Sequence, residues 1–209
     1  MQLDQFLREW WRSSRADRAL ELGHTHARRG DLERAFESYS RAIKLNPELA
    51  EAYNRRGCVQ FRLGNISGAI ADYSHSIRVR PRYVEAYLNR GLANYAQSEI
   101  ADALGDLNIA IYLDPKQAVA YNHRGLVDER QGNLSAAIAD YSEAIRLNPR
   151  IEDAYTNRGH VRADVGDYSG AIADYQHYLA MGAGKRHGDQ SDVERLISAL
   201  HGQIRHQHR

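Results

Sequence analysis

One six-residue string occurs four times at a fixed interval. AYNRRG at Ala52–Gly57 is followed by AYLNRG at Ala86–Gly91, AYNHRG at Ala120–Gly125 and AYTNRG at Ala154–Gly159, each 34 residues after the last. AIADYS at Ala69–Ser74 returns at Ala137–Ser142 and, as AIADYQ, at Ala171–Gln176. Pro47, Pro81, Pro115 and Pro149 keep the same step. A period of this length marks a supersecondary unit that cannot bury its apolar face alone, so stacked neighbours must supply the core. The register extends back to Ala16. It gives units 16–49, 50–83, 84–117, 118–151 and 152–185, with 15 residues before them and 24 after.

Each unit reads as two helices. In 50–83 the stretch AEAYNRRGCVQFRL ends at Gly64-Asn65, a C-cap and turn signal. Ile66, Ala69, Ile70, Tyr73 and Ile77 then recur at helical spacing until Pro81, which lacks an N–H and crowds the preceding turn. The small Gly57 and Ala69 let the two backbones approach closely.

The pattern resembles the tetratricopeptide repeat. In the second unit Tyr53, Gly57, Ala69, Tyr73, Ser76 and Pro81 stand at the family's positions, and the likeness covers residues 16–185. It implies an all-α fold, a right-handed α-solenoid of stacked antiparallel helix pairs. Helices at 1–15 and within 186–209, the latter after a loop, are expected to cap the array. Departures from the pattern carry expectations too. Ala19 replaces the tyrosine in the first unit, as suits a terminal one. The third unit has Gln97-Ser98-Glu99 where the others have Gly-Asp or Gly-Asn, and Leu107 in place of tyrosine, so its turn should differ. The fifth unit ends in MGAGKRHGD without proline, so its second helix should fray into a Gly-rich loop.

The seventh position of the units holds Leu22, Arg56, Arg90, Arg124 and Arg158; the twenty-third holds Ser38, Asp72, Asp106, Asp140 and Asp174. Arginine and aspartate are present together four times and absent together once. That covariation within one chain predicts a scaffold ion pair between the two helices, inside a unit or between stacked ones. A guanidinium suits a bidentate carboxylate.

In the family the first helix of each unit lines the concave face. The resemblance therefore implies a partner-binding groove of Asn54, Arg55, Phe61, Arg62, Leu88, Asn89, Leu92, Tyr95, Asn122, His123, Leu126, Arg130, Asn157 and His160. Its apolar middle and mixed-charge rim are the anatomy of a protein or peptide interface. Asn89 and Asn157 match asparagines that hydrogen-bond a bound peptide backbone in related arrays, whereas Arg55 and His123 break the ladder. The lysines of the subfamily that clamps a C-terminal carboxylate are missing from these helices, so chaperone tails should bind poorly.

The remaining chemistry is thin. No phosphate-binding, dinucleotide-binding or nucleophile-elbow motif is present. Ten histidines show no ligand spacing, so neither metal nor cofactor is expected. Arg55 and Arg62 near Cys58 on one helix favour a lowered pKa, yet no base can be assigned to it, and a packed or partly exposed thiol without a chemical role is the reading. Lys plus Arg is 28 against 27 for Asp plus Glu, which gives no basic excess for nucleic acid. No apolar run spans a membrane, and neither the acids Asp4 and Glu9 nor the lone cysteine suit an exported chain; a cytoplasmic protein is expected. Leu3, Phe6, Leu7, Trp10 and Trp11 form an N-terminal apolar stripe, and Val193, Leu196, Ile197, Leu200 and Ile204 a C-terminal one behind a capping box at Ser191–Glu194. Capping is the reading of both, with self-association or a membrane-surface contact as alternatives. The functional expectation is a non-catalytic, monomeric scaffold that binds a segment or helix of another protein; the alternative is an element that self-assembles through its array ends.

Overall fold

The computed structural model describes the backbone of residues 2–207 and the side chains of residues 14–206, and the described residues are helical throughout, without strands. The helices are α1 (Gln2–Arg28), α2 (Leu32–Leu45), α3 (Ala50–Arg62), α4 (Ile66–Val79), α5 (Val84–Ala96), α6 (Ile100–Leu113), α7 (Ala118–Arg130), α8 (Leu134–Leu147), α9 (Glu152–Asp164), α10 (Tyr168–Ala180), α11 (Ala183–His187) and α12 (Gln190–Gln207). The chain divides into two compact units, Met1–Leu113 and Asp114–Arg209. In the first, α1 packs on α2, α3 on α4 and α5 on α6, and α2 also touches α3 and α4 touches α5. In the second, α7 pairs with α8 and α9 with α10, and α12 lies on α10. The fold is that of an α-solenoid built from helix pairs.

Close approach of the paired helices rests on one contact. The glycine at position eight of the repeat lies against the ring at position twenty-four. A Cβ on Gly57 would sit 2.7 Å from the Tyr73 ring, and one on Gly159 2.7 Å from that of Tyr175. In the third pair Leu107 fills the same space, and Gly91 has its nearest neighbour at 3.1 Å. The flat faces of Tyr39, Tyr73, Tyr141 and Tyr175, all buried, thus pack where two backbones meet, with Ala35, Ala69, Ala137 and Ala171 beside them. Dense packing of this kind leaves little room to relax.

Turns between pairs follow from Asx-Pro chemistry. Asn46, Asp114 and Asn148 precede proline, and each side chain accepts the backbone N–H two residues on, at 3.0–3.1 Å. Tyr87, Tyr121 and Tyr155 donate their hydroxyls to the carbonyls of Pro81, Pro115 and Pro149 at 3.2–3.4 Å, which ties each first helix to the turn before it.

Four expectations are corrected. The helix at 1–15 is not separate from the first unit: α1 runs unbroken from Gln2 to Arg28, because no proline interrupts that stretch and its one glycine, Gly23, packs inside the helix pair against Tyr39. Leu3, Phe6, Leu7, Trp10 and Trp11 lie outside the described side chains. The turn of the third pair is not different. Ser98 adopts φ 67°, the left-handed conformation that Gly30, Gly64, Gly132 and Gly166 take at the same position. The bond closing the turn is the same too, Glu99 to Asn94 at 2.9 Å beside Asn65 to Gln60 at 2.9 Å. The Gly-rich segment after the fifth pair is not a loop. Gly182 and Gly188, both left-handed, bracket the short α11. Nor does Ser191 cap α12. Asp189 precedes the helix, its carbonyl takes the N–H groups of Asp192 and Val193, and its carboxylate accepts the Tyr178 hydroxyl at 2.9 Å. Val193 is buried with Tyr155, Tyr175 and Tyr178, Ile197 and Leu200 pack partly against them, and Leu196 is exposed.

Two stability changes follow. Ser98→Gly removes a left-handed serine and should stabilise the fold by about 0.5–1 kcal/mol in urea unfolding, the relief outweighing the extra chain entropy of glycine. Gly159→Ala drives a methyl into the Tyr175 ring and should cost about 1–3 kcal/mol, more than Gly91→Ala, where the neighbouring side chain is Leu107.

Candidate functional site

The polar groups divide between a buried clamp and an open face. In the clamp Arg56 donates Nε and Nη2 to Asp72 at 2.8 and 2.7 Å. Arg90 and Asp106 repeat this at 2.8 and 2.7 Å, Arg124 and Asp140 at 2.7 and 2.8 Å, and Arg158 and Asp174 at 3.0 and 2.6 Å. Every pair is inside one helix pair. The aspartates are buried, and the guanidiniums of Arg56, Arg90 and Arg124 stay charged because the bonded carboxylate outweighs their loss of water. The remaining Nη1 reaches back to the previous pair: Arg56 to Ser40 at 3.2 Å, Arg90 to Ser74 at 3.0 Å and Arg158 to Ser142 at 2.9 Å. Sequence reading missed these serines, although Ser40, Ser74 and Ser142 recur at position twenty-five.

A further donor completes three of the four clamps. Gln60, Asn94 and Arg162 bond Asp72, Asp106 and Asp174 at 2.5, 3.2 and 2.9 Å. The equivalent residue in the fourth pair is Asp128, an acid beside an acid. Burial pushes its carboxyl above the ordinary carboxylate value; a bond from Asn133 opposes this and the charge of Asp140 adds to it.

On the first-helix face, Asn54 and Asn122 are buried and Leu88 is 7% exposed, so these three candidates pack between helices and do not meet solvent. Asn54 Oδ1 accepts from Asn89 Nδ2 at 2.9 Å, and Asn122 Oδ1 from Asn157 Nδ2 at 3.2 Å. The amides read as peptide clamps therefore spend a donor on a neighbouring first helix. Arg55, Arg62, Arg130 and His160 are exposed, and Phe61, Leu92, Tyr95, Leu126 and His123 are half-buried. Arg55 reaches Glu51 at 3.4 Å.

Between α1 and α3 this face opens into a cleft of about 390 Å³. Glu21, His24, Arg28, Arg55, Cys58 and Arg62 rim it over Tyr39 and Val59. His24 sits edge-on to Tyr39, 5.7 Å between ring centres, and its buried Nε2 has no hydrogen-bond partner. His123 Nδ1 is likewise buried and unpartnered, and burial lowers that imidazole's pKa. Cys58 is a packed thiol whose neighbouring arginines do not set its state. Burial pushes its thiol up and outweighs Arg55, while the Tyr73 hydroxyl bonds it. Its sulfur also accepts from Asn89 Nδ2 at 3.4 Å. Among the described residues no three His, Cys, Asp or Glu side chains gather as a metal site needs, and no helix is long and apolar enough to cross a membrane.

Two measurements probe the clamp. Arg90→Ala and Asp106→Ala should each cost about 2–4 kcal/mol, and the double variant should recover a coupling of at least about 1 kcal/mol; zero coupling contradicts the pairing. At Asp128 the folded-state pKa is raised, so its ionisation costs stability as pH rises from the ordinary 3.8 through the raised value. Asp128→Asn should raise the melting temperature by about 1–3 °C at neutral pH, with the gain disappearing below the ordinary value.

Solved structures share this architecture. A crystal structure of MamA is 25% identical with TM-score 0.67, covering 82% of this chain and 93% of its own. The pilF protein of Pseudomonas aeruginosa is 19% identical with TM-score 0.77, over 94% and 93% of the two chains. YrrB, described as a TPR protein with an unusual peptide-binding site, is 20% identical with TM-score 0.61, over 78% and 84%. No curated protein sequence matches the chain. The family model for the TPR repeat matches residues 23–64, 59–98 and 130–166, more than half of the sequence. The chain belongs to the tetratricopeptide-repeat family.

Proposed function

We propose that the protein is a non-catalytic scaffold whose first-helix face holds a segment of another protein. The observation that carries this reading is the cleft between α1 and α3. An apolar floor of Tyr39 and Val59 lies under a rim of both charges, and the buried His24 Nε2 makes no hydrogen bond, with a Glu51 carboxylate oxygen 3.6 Å away. A buried polar atom without a partner costs free energy that a ligand's hydrogen bond offsets. Half-buried Phe61, Leu92 and Tyr95 extend apolar surface along α3 and α5. Interfaces have this arrangement, an apolar centre and a polar rim. Asn89 and Asn157 still offer an amide oxygen each to a peptide N–H, since the bonds they make use Nδ2.

The scaffold reading is also supported by what the reactive groups do. The Cys58 thiol is held protonated by burial, and the clamp aspartates are each held by an arginine. Neither arrangement prepares a nucleophile or a general base.

Affinity capture from native lysate tests the proposal. Wild type, Arg62→Glu/Leu92→Glu and the control Arg78→Ala, on the exposed side of α4, would be compared by mass spectrometry. A protein retained by wild type and control and lost from the double variant is the expected result. Equal retention by all three contradicts the reading.

A further inference from the structure

The first helix pair lacks the clamp, with Leu22 and Ser38 at the arginine and aspartate positions, and an open cleft of about 390 Å³ lies between α1 and α2 there. It is on the flank of α1 opposite His24 and Glu21, since its α1 residues fall on the other side of the helical wheel. Arg15 and Arg18 from α1 and Arg34 and Arg41 from α2 line it with His26, and Glu37 is the one acid in the lining. Ala19 and Leu22, the latter 48% exposed, give it an apolar floor. Arg34 has Asp31 at 3.6 Å. Among the described residues no carboxylate comes within ion-pair distance of Arg15, Arg18 or Arg41.

Three guanidiniums without an ion-pair partner among the described residues raise the local positive potential around one concavity. In the other pairs an aspartate answers the clamp arginine; Arg15, Arg18 and Arg41 stand at other positions, and Glu37 is the one carboxylate beside them. The guanidinium fork fits a carboxylate through two parallel bonds. We propose that the cleft docks an acidic segment of a partner protein, with its carboxylates on Arg15, Arg18 and Arg41 and an apolar side chain on Leu22. A second copy packed through the same face about a two-fold axis would set arginines against arginines, so self-association here is opposed. A small inorganic anion makes no use of the Leu22 floor.

The probe is a fluorescein-labelled peptide Glu-Asp-Leu-Glu-Asp, followed by anisotropy with the full chain. The wild type should bind it and should not bind the Gln-Asn-Leu-Gln-Asn twin, and affinity should fall as salt rises from ~50 to ~300 mM. Arg18→Glu/Arg41→Glu should lose at least about tenfold in affinity. Glu37→Gln should bind about two- to threefold tighter, a gain that misfolding cannot imitate. Leu92→Glu, on the other face, should leave binding unchanged. The proposal is overturned if the acidic peptide does not bind, if the amide twin binds equally, or if Arg18→Glu/Arg41→Glu or Glu37→Gln binds as wild type does. It is equally overturned if Leu92→Glu abolishes binding, or if inorganic phosphate or an oligothymidylate displaces the probe at lower concentration than unlabelled peptide.

Discussion

A buried aspartate has to be answered by a cation that stays charged, and in this chain that requirement is met by one arginine with three tasks. Arg56 closes α3 onto α4 through two bonds to Asp72 and then reaches Ser40 on α2. Arg90 and Arg158 do the same with Asp106 and Ser74 and with Asp174 and Ser142. Burying a carboxylate without such a partner would be prohibitive. With it, the bidentate geometry fixes the angle of each helix pair and the third bond fixes its neighbour. The glycine-on-tyrosine contact operates at the same crossing, so packing and electrostatics specify one arrangement. Asp128 stands where three clamps have a further donor, and burial, with the charge of Asp140 added, raises its carboxyl's pKa.

Because the clamps take up most buried polar groups, the first-helix face is left with few internal obligations. What remains there is half-buried apolar surface, charges of both signs and a histidine nitrogen that makes no hydrogen bond. The first pair shows what loss of the clamp does. Leu22 and Ser38 stand in place of the ion pair, and the cleft they share with Arg15, Arg18, Arg34 and Arg41 is cationic. Two faces of α1 therefore differ in character: one mixed and aromatic-floored, the other positive with an aliphatic floor.

Most of the fold was legible in the sequence because each pair contacts only its neighbours, so the same contact demands the same residue every 34 positions. Gly57, Tyr73 and Pro81 announce a crossing, its filler and a stop. The errors share a cause as well. Ser98 was read by residue type, but the flanking bonds hold it where glycine sits in the other turns. The asparagines were read by position on a helix face. Asn54 and Asn89 are 35 residues apart, one more than the period, so repeat alignment did not bring them together. The direction of the Cys58 pKa is set by burial, which its arginine neighbours along the helix do not reveal.

Native-state hydrogen exchange on Arg56→Leu/Asp72→Ser, which copies the Leu22 and Ser38 of the first pair, tests the clamp most directly. The clamp account predicts that amides of α2 lose protection together with those of α3 and α4, because the bond to Ser40 carries the coupling. Loss confined to α3 and α4, with α2 exchanging as in the wild type, would contradict it.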